Sequence, residues 1–358
     1  MRFHVVSLPH TQTTKEFVNC AYTEKVRRFC NMMKSLGHEV YLYAGEQNEA
    51  DVTELIPCIT EEQRVKSLKG QHFTSGSFDY RRPHWMLFNA NVVREIEKRI
   101  QQKDFICLIG GHAHKIIADS FPSHISVEFG VGYSGVFSQY KVFESYSWMH
   151  SIYAQNKDAS ASDGAFFDRV IPGYLDPEMF PLVEQKDDYY LFIGRLIDRK
   201  GYHIAQQVCQ ELGKRLIVAG PGDFKGYGEY VGPVGPEERA KLMGNAIATF
   251  VPTLYIEPFG NVNIESQACG TPVITTDWGA FTETVEHGKT GFRCRTFQEF
   301  CEAAEAVKAL DPVYIRDRAI SLYSVDIVKY QYERYFQDLL KLWGKGWYER
   351  DIRTYQMV

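Results

Sequence analysis

The chain has 358 residues, 44% of them hydrophobic and 24% charged, which is enough to bury a substantial core and suggests two domains. A formal net charge of −5 gives no strong nucleic-acid signal and no global attraction to an anionic membrane. Eight cysteines, scattered from Cys20 to Cys301 with no Cys-x-x-Cys pair, indicate neither a zinc cluster nor a disulfide framework, and reduced thiols in a cytoplasmic protein are the expectation.

Met1–Leu8 turns polar too quickly for a signal peptide, and no apolar run approaches the length of a membrane span. Phe3–Leu8 reads instead as a first strand, followed by a helical pattern over roughly Thr14–Leu36 that stops at Gly37, a natural C-cap. Glu39–Ala44, Phe105–Ile109 and His124–Phe129 supply further strands of a parallel α/β unit. After Phe105–Ile109 comes Gly110-Gly111-His112-Ala113-His114, whose two alternate histidines have no recognisable third ligand, so no metal is expected there. His112, on the loop leaving that strand, is a candidate ligand contact. Gly130-Val131-Gly132-Tyr133-Ser134-Gly135 is a literal Gly-x-Gly-x-x-Gly after a strand, the pattern of a dinucleotide-dependent oxidoreductase. It lacks the acidic strand end about twenty residues later that this fingerprint asks for, and reads better as a flexible glycine loop. Phe143, Tyr146, Trp148, Met149 and Tyr153 read as packing residues.

Ile171-Pro172-Gly173-Tyr174-Leu175-Asp176-Pro177-Glu178-Met179-Phe180-Pro181, with three prolines and a glycine, reads as a linker. Beyond it Tyr189–Ile193, Arg215–Ala219, Ala246–Pro252 and Val273–Thr276 repeat the strand theme, with helices near His203–Leu212, Glu237–Met243 and Val262–Cys269. Gly194 frees the backbone after the strand Tyr189–Ile193, and Arg195 and Lys200 follow on a loop that enters a helix. In a doubly wound sheet that is the ligand edge, where a guanidinium fork and an ammonium suit phosphate oxygens. The most informative stretch is Glu257-Pro258-Phe259-Gly260-Asn261-Val262-Asn263-Ile264-Glu265, a glycine-bearing turn running into a helix with a carboxylate on each side. A helix start offers unpaired N–H groups and a positive dipole end to a phosphate or sugar hydroxyl, and a carboxylate in its first turns can accept both hydroxyls of a ribose.

Two glutamates at this spacing inside Glu-Pro-Phe-Gly, with Gly194-Arg195-Leu196…Arg199-Lys200-Gly201, Ala219-Gly220-Pro221-Gly222 and Val231–Glu238 in the expected order, resemble family 4 of the retaining glycosyltransferases. The resemblance is strong from about Ile171 to Phe292 and weaker upstream, where Leu36-Gly37-His38-Glu39-Val40 fits. It implies an α/β GT-B architecture: two Rossmann-like domains with parallel sheets facing a central cleft, residues 1–172 for the acceptor and 173–325 for the nucleotide-sugar donor, and a segment 326–358 whose helix crosses back to the first domain. It also implies a hexosyl- or pentosyltransferase with retention of configuration. The donor would be a UDP-, GDP- or ADP-sugar bound as co-substrate, with no tightly bound cofactor and no metal.

By that resemblance Arg195 and Lys200 face the diphosphate, Glu257 the donor sugar and Glu265 the ribose, while Gly194, Gly222, Val234, Phe259, Gly260, Asn261 and Val262 contribute donor contacts. The chain departs from the family in two places. The paired-glycine loop after the first strand is replaced by Pro9-His10-Thr11-Gln12-Thr13-Thr14, where Thr13 and Thr14 either supply hydroxyls or cap the next helix. The usual active-site histidine is replaced by Glu128-Phe129-Gly130, where Glu128 either orients the donor or bonds a backbone turn. No Asp-x-Asp triplet occurs, against the metal-dependent single-domain glycosyltransferase fold. Other readings are a sugar-nucleotide epimerase or hydrolase, the oxidoreductase, and a non-catalytic binding module. The acceptor is open among carbohydrate, lipid-linked, protein and modified nucleic-acid substrates. Lys341–Tyr348, mixing bases with indoles, is a candidate for peripheral membrane contact or for docking on the first domain.

Overall fold

The computed structural model describes residues 1–18, 20–73, 78–155 and 165–343. The tail from Gly344 on, with Trp347 and Tyr348, lies outside the described residues. The chain divides into two compact units: Met1–Phe143 with 165–171 and 329–343, and Glu144–Gln155 with Pro172–Val328. The short segment Glu144–Gln155 thus belongs with the second unit although the chain on either side of it belongs with the first.

In chain order the elements up to the linker are β1 (Arg2–Val6), α1 (Ala21–Ser35), β2 (Glu39–Ala44), β3 (Glu54–Pro57), α2 (Glu61–Leu68), α3 (Pro83–Glu97), β4 (Phe105–Leu108), α4 (Lys115–Asp119), β5 (Ile125–Val131), β6 (Tyr140–Phe143), α5 (Tyr146–Tyr153) and β7 (Arg169–Val170). The seven strands form one parallel sheet in the order β3-β2-β1-β4-β5-β6-β7. Its central strands are continuous apolar runs because both faces are covered, as all four residues of β4 show by being buried. α1 packs on the sheet through Val26, Phe29, Cys30 and Met33, spaced to share one helical face. It begins at Ala21, later than the pattern from Thr14 suggests: Lys15–Phe17 is a 3₁₀ turn, Thr13 Oγ1 donates to Asn48 Oδ1 at 2.9 Å, and Thr14 makes no side-chain cap. β5 runs on through Gly130 and Val131, beyond the expected end at Phe129. Gly130 takes φ +57, and the pairing with β6 shifts register between Glu128 and Val131, so a bulge absorbs what the sequence suggests is the start of a loop.

The second unit contains β8 (Tyr190–Ile193), α6 (Tyr202–Glu211), β9 (Leu216–Ala219), β10 (Glu229–Gly232), α7 (Pro236–Asn245), β11 (Thr249–Val251), α8 (Asn261–Ala268), β12 (Val273–Thr276), α9 (Phe281–Thr284), β13 (Gly291–Cys294), α10 (Phe297–Ala306) and α11 (Pro312–Tyr323). Its parallel sheet has the order β10-β9-β8-β11-β12-β13. The winding reverses between β8 and β11, which makes the ends of those two strands the switch point where such sheets bind ligands. α10 starts with a reciprocal capping box between Thr296 and Glu299.

The last helix, α12 (Val325–Leu340), passes from the second unit into the first, as the C-terminal crossing helix expected from the sequence does. From Lys329 on it packs on the first sheet through an aromatic cluster: Phe336 meets Phe3 at 4.8 Å and Phe105 at 4.9 Å between ring centroids, and Tyr332 meets Phe29 at 5.4 Å. Phe336 has no exposed surface. Phe336→Ala is therefore expected to destabilise the protein by about 3–5 kcal/mol, read from the urea midpoint of the circular dichroism signal; a shift near zero would mean that this helix is not part of the first unit's core.

Candidate functional site

The loop after β8 is shaped by close backbone contact. A Cβ on Gly220, the first residue past β9, would lie 2.0 Å from Gly194 O, and Gly220 sits at φ +127. Only glycine fits there. Gly222 follows with its α-carbon facing Leu196, and Arg195 projects exposed beside them. The chain then makes a 3₁₀ turn over Asp198–Lys200 and enters α6.

Lys200 Nζ donates to Glu257 Oε2 at 2.6 Å, with the Glu257 side chain only 12% exposed. Thr253 Oγ1 donates to the same oxygen at 3.3 Å, and the Tyr255 hydroxyl is also bonded to this carboxylate. Burial and the Glu257 charge together push the Tyr255 phenol far up. Arg199 and Lys200 stand 4.7 Å and 5.0 Å from the centre of the Tyr255 ring, so the ring face adds a cation–π contact to each. Two sequence-predicted residues, Lys200 and Glu257, are thus brought together from the loops after β8 and β11.

Gly260, at φ +85, is the N-cap of α8, and no side chain caps that helix. Asn263 N donates to Gly260 O at 2.9 Å, while the N–H groups ahead of it lie outside the i→i−4 ladder and carry the positive end of the dipole. Phe259 is buried, while Asn261 and Val262 are half-buried at the helix start. The turn is held from three sides. A Cβ on Gly173 would lie 2.4 Å from Phe259 Cδ1, so the linker presses directly on the ring. Ser145 Oγ donates to Pro258 O at 2.6 Å while accepting from Trp148 N as the N-cap of α5. Behind the helix, Asn263 Nδ2 donates to Thr284 Oγ1 at 2.6 Å, and Gln267 Nε2 donates to Asn263 Oδ1 at 2.6 Å and Thr284 O at 3.1 Å.

Glu265 is 5% exposed, and Arg239 of α7 donates to its Oε2. Glu283 accepts from Tyr146 N at 2.9 Å and from Ser147 N and Ser147 Oγ at 2.8 Å, clamping the start of α5 beside the Glu257–Gly260 turn. Sequence reasoning missed Arg239, Ser145 and Glu283. Spacing carries no signal for them, because each acts across elements far apart in the chain. It also missed Tyr230, whose ring stacks on Phe224 at 5.2 Å and 11° and whose hydroxyl donates to Gly220 O at 2.8 Å. Val234 lies half-buried after that strand, packed against the core beneath α7.

In the first unit, Glu128 is fully buried within β5. Its Oε2 accepts from Phe137 N and Ser138 N at 2.8 Å each, and its Oε1 from Tyr133 Oη at 3.1 Å. Burial pushes its carboxyl above the usual range, against the opposing pull of those two N–H groups. Of the two roles expected for Glu128, this geometry is that of a turn-bonding residue. Tyr22 Oη and Lys25 Nζ donate to Gly132 O and Gly130 O, so the glycine run expected to be flexible is tied down. It leads into strand β6, with no helix after it, and therefore lacks the helix N-terminus that a dinucleotide fingerprint needs. His112 is exposed, its backbone N–H donating to Gly135 O and its ring 6.2 Å from Phe137. His114, two residues on, is fully buried against Trp85 and accepts from Gly110 N. Among the described residues no group of three His, Cys, Asp or Glu side chains is arranged to hold a metal ion.

His10, after β1, is also buried, with its ring 6.3 Å from Trp85. Burial lowers His114 to about 3, and burial with the charges of His84 and Arg64 lowers His10 to about 4. Both imidazoles are neutral at pH 7. Because their folded values lie below the unfolded value, the stability they contribute is complete above about 6.5 and is lost as pH falls through 4. NMR titration should show both rings neutral at pH values where exposed histidines have already charged, with unfolding free energy falling in step; protonation of both near 6.5 would refute this placement.

Residues 178–311 match the family model described as glycosyl transferases group 1. Glycogen synthase of Mycobacterium tuberculosis is 32% identical over 149 residues, 36% of this chain and 36% of that protein. The chain spans about a third of the length of the curated relatives it matches, 32% and 36% for two of them. Among solved structures, AviGT4, a glycosyltransferase involved in avilamycin A biosynthesis, aligns with TM-score 0.64 at 18% identity over 95% of this chain and 98% of its own. Anabaena Alr3699/HepE in complex with UDP and glucose aligns with TM-score 0.64 at 14% identity over 94% and 99%. Residues 178–311 thus match the glycosyl transferases group 1 model, and the two parallel doubly wound sheets have the GT-B fold of these solved structures.

Proposed function

We propose that the chain is a glycosyltransferase resembling family 4 that moves a sugar from a nucleotide-sugar donor to an acceptor hydroxyl, with retention of configuration and without a metal ion. The observation that carries this reading is the meeting of Lys200 and Glu257 beside the uncapped start of α8, at the switch point of the second sheet. In the reaction the bond from the sugar's anomeric carbon to a diphosphate oxygen breaks, one from the acceptor oxygen forms as its hydroxyl proton passes to the departing diphosphate, and negative charge accumulates on that leaving group as the bond breaks. Arg195, Lys200 and the N–H groups from Phe259 to Val262 are the groups available to stabilise that charge, the electrostatic contribution that is usually the largest in such catalysis. In this reading cationic side chains take the part a divalent ion plays elsewhere.

Glu265, held by Arg239, accepts the ribose hydroxyls. The backbone at Gly194 and Gly222 approaches the phosphates, and Val234 with the Phe224–Tyr230 stack faces the base. Glu257 contacts the transferred sugar, and His112, on the first unit, the acceptor. Glu128 keeps its place by organising the loop that carries Tyr133 and Phe137. The UDP and glucose bound to Alr3699/HepE support a UDP-sugar as the first donor to try. A cytoplasmic setting, as the cysteine usage suggests, fits such a donor.

Thermal shift with UDP-, GDP-, ADP- and dTDP-sugars, with and without EDTA, tests the class, because a ligand bound to the native state raises apparent stability by mass action. One donor should shift the midpoint equally in both conditions and be consumed only when an acceptor is added. Consumption without acceptor would favour the hydrolase or epimerase, binding with no acceptor-dependent turnover the non-catalytic module, and dependence on manganese or magnesium would remove the cationic clamp.

The carboxylates are separable by mutation. Arg195→Ala is expected to weaken nucleoside-diphosphate binding by about 1.5–3 kcal/mol and to slow transfer by about 10²-fold. Glu265→Gln should weaken free diphosphate and intact donor alike. Glu257→Gln should lower turnover while diphosphate affinity holds or rises, since it releases the Lys200 ammonium from its ion pair. Equal loss of diphosphate affinity in both glutamate variants, by calorimetry, would overturn the assignment.

A further inference from the structure

α3 carries apolar residues where a surface helix ordinarily carries polar ones. One face buries Trp85, Phe88, Val92 and Ile96. The opposite face of its first turns presents Met86, 59% exposed, Leu87, 38% exposed, and Ala90. A helix apolar on both faces is normally covered on both. Ile116 of α4, 59% exposed, and Tyr80, 54% exposed, join Met86, Ala90 and Val93 in lining a groove of about 1060 Å³. On the other flank of α3 lies a second groove of about 550 Å³, lined by Lys66, Lys69, Arg82, His84 and Leu87 and by no carboxylate.

Among the described residues no ion pair engages Lys66, Lys69 or Arg82, whereas the neighbouring Arg81 and Lys115 are taken by Asp79 at 2.9 Å and Asp119 at 2.7 Å. On α2, Glu61 is held by Arg64, leaving Glu62 as the exposed carboxylate of that helix. Three cations outside any close ion pair, of which Arg82 lies within the field of Asp79, are a local feature on a chain of net charge −5, not a reflection of overall charge.

We infer that this face of the first unit, built from α2, the start of α3 and α4, docks on an anionic phospholipid surface, with Met86, Leu87, Tyr80 and Ile116 entering the interfacial layer and Lys66, Lys69 and Arg82 meeting the head groups. Apolar residues flanked by bases are the composition that binds at such an interface, where each part alone is weak. A second copy of the chain is a poorer occupant, because a symmetric contact through this face would set the same cations against each other. The patch adjoins the ligand edge of the first sheet: Trp85, one residue before Met86, packs against His10 after β1 and His114 after β4. Docking would therefore bring that edge to the lipid surface. His112, the proposed acceptor contact, lines the same groove as Met86 and Ile116, so the docked face adjoins that position.

The test is flotation of the full chain with vesicles of phosphatidylcholine, with and without phosphatidylglycerol. The protein should float with the anionic vesicles, less so at high salt. Lys66→Gln, Lys69→Gln and Arg82→Gln combined should lower partition by about 10²-fold, and Met86→Gln with Ile116→Gln should lower it with the bases intact. All five side chains are at the surface, so unchanged circular dichroism will show that the variants fold. Failure of the native chain to float with anionic vesicles, equal flotation with neutral ones, or unchanged partition in either variant would overturn the inference. Calorimetric binding of glycerol phosphate in the absence of any vesicle binding would mean a soluble anionic ligand, and would overturn it too.

Discussion

Lys200 and Glu257 stand 57 positions apart and meet at 2.6 Å because the winding of the second sheet reverses between β8 and β11. That reversal opens the ends of the two strands to each other, and each contributes the loop that leaves it. The rest of the donor-side geometry depends on this contact: Thr253 and Tyr255 converge on the same carboxylate, and Arg199 joins Lys200 over the Tyr255 ring. A partly buried pair of this kind contributes little net stability, since the Coulombic gain is offset by desolvation. Its consequence is positional. It fixes an ammonium at a stated place beside a helix start, in surroundings where charge is weakly screened.

The helix start is itself aimed by a polar scaffold. Asn263, Gln267 and Thr284 form a buried hydrogen-bonded network behind α8 that fixes how the helix sits, although Gln267 Oε1 itself is left without a partner among the described residues. Ser145 and Glu283 act from the other side, tying the Glu257–Gly260 turn to α5. Local strain at Gly260 and Gly220 is tolerable because glycine lacks the Cβ that would clash. The uncapped N-terminus is thus left by a fold that supplies side-chain partners almost everywhere around it.

In the first unit the corresponding edge is organised by burial. Glu128 serves as acceptor for two backbone N–H groups, and the glycine run after it is pinned by Tyr22 and Lys25. Neutral, buried His10 and His114 bracket Trp85. The same tryptophan that anchors α3 to the sheet leaves the next two residues, Met86 and Leu87, facing solvent.

Most inner strands were legible because strands buried on both faces must be continuous apolar runs, and Tyr189–Ile193, Phe105–Ile109 and Val273–Thr276 fall within a residue of the observed elements. The edge strands β3, β7, β10 and β13 were not, being short and partly exposed, and neither was the inner strand β6, where Lys141 interrupts the apolar run. By itself the sequence determined where the glycine turns and helix starts of the second unit's ligand edge lie and which charged residues flank them, since those properties reside in neighbours along the chain. Only the tertiary structure decided that Lys200 meets Glu257, that Arg239 holds Glu265, that Glu283 grips α5, and that Glu128 is consumed within its own turn. Each of those pairings depends on which loops the winding and the bulges bring together, and neither periodicity nor spacing encodes a contact between residues from separate elements.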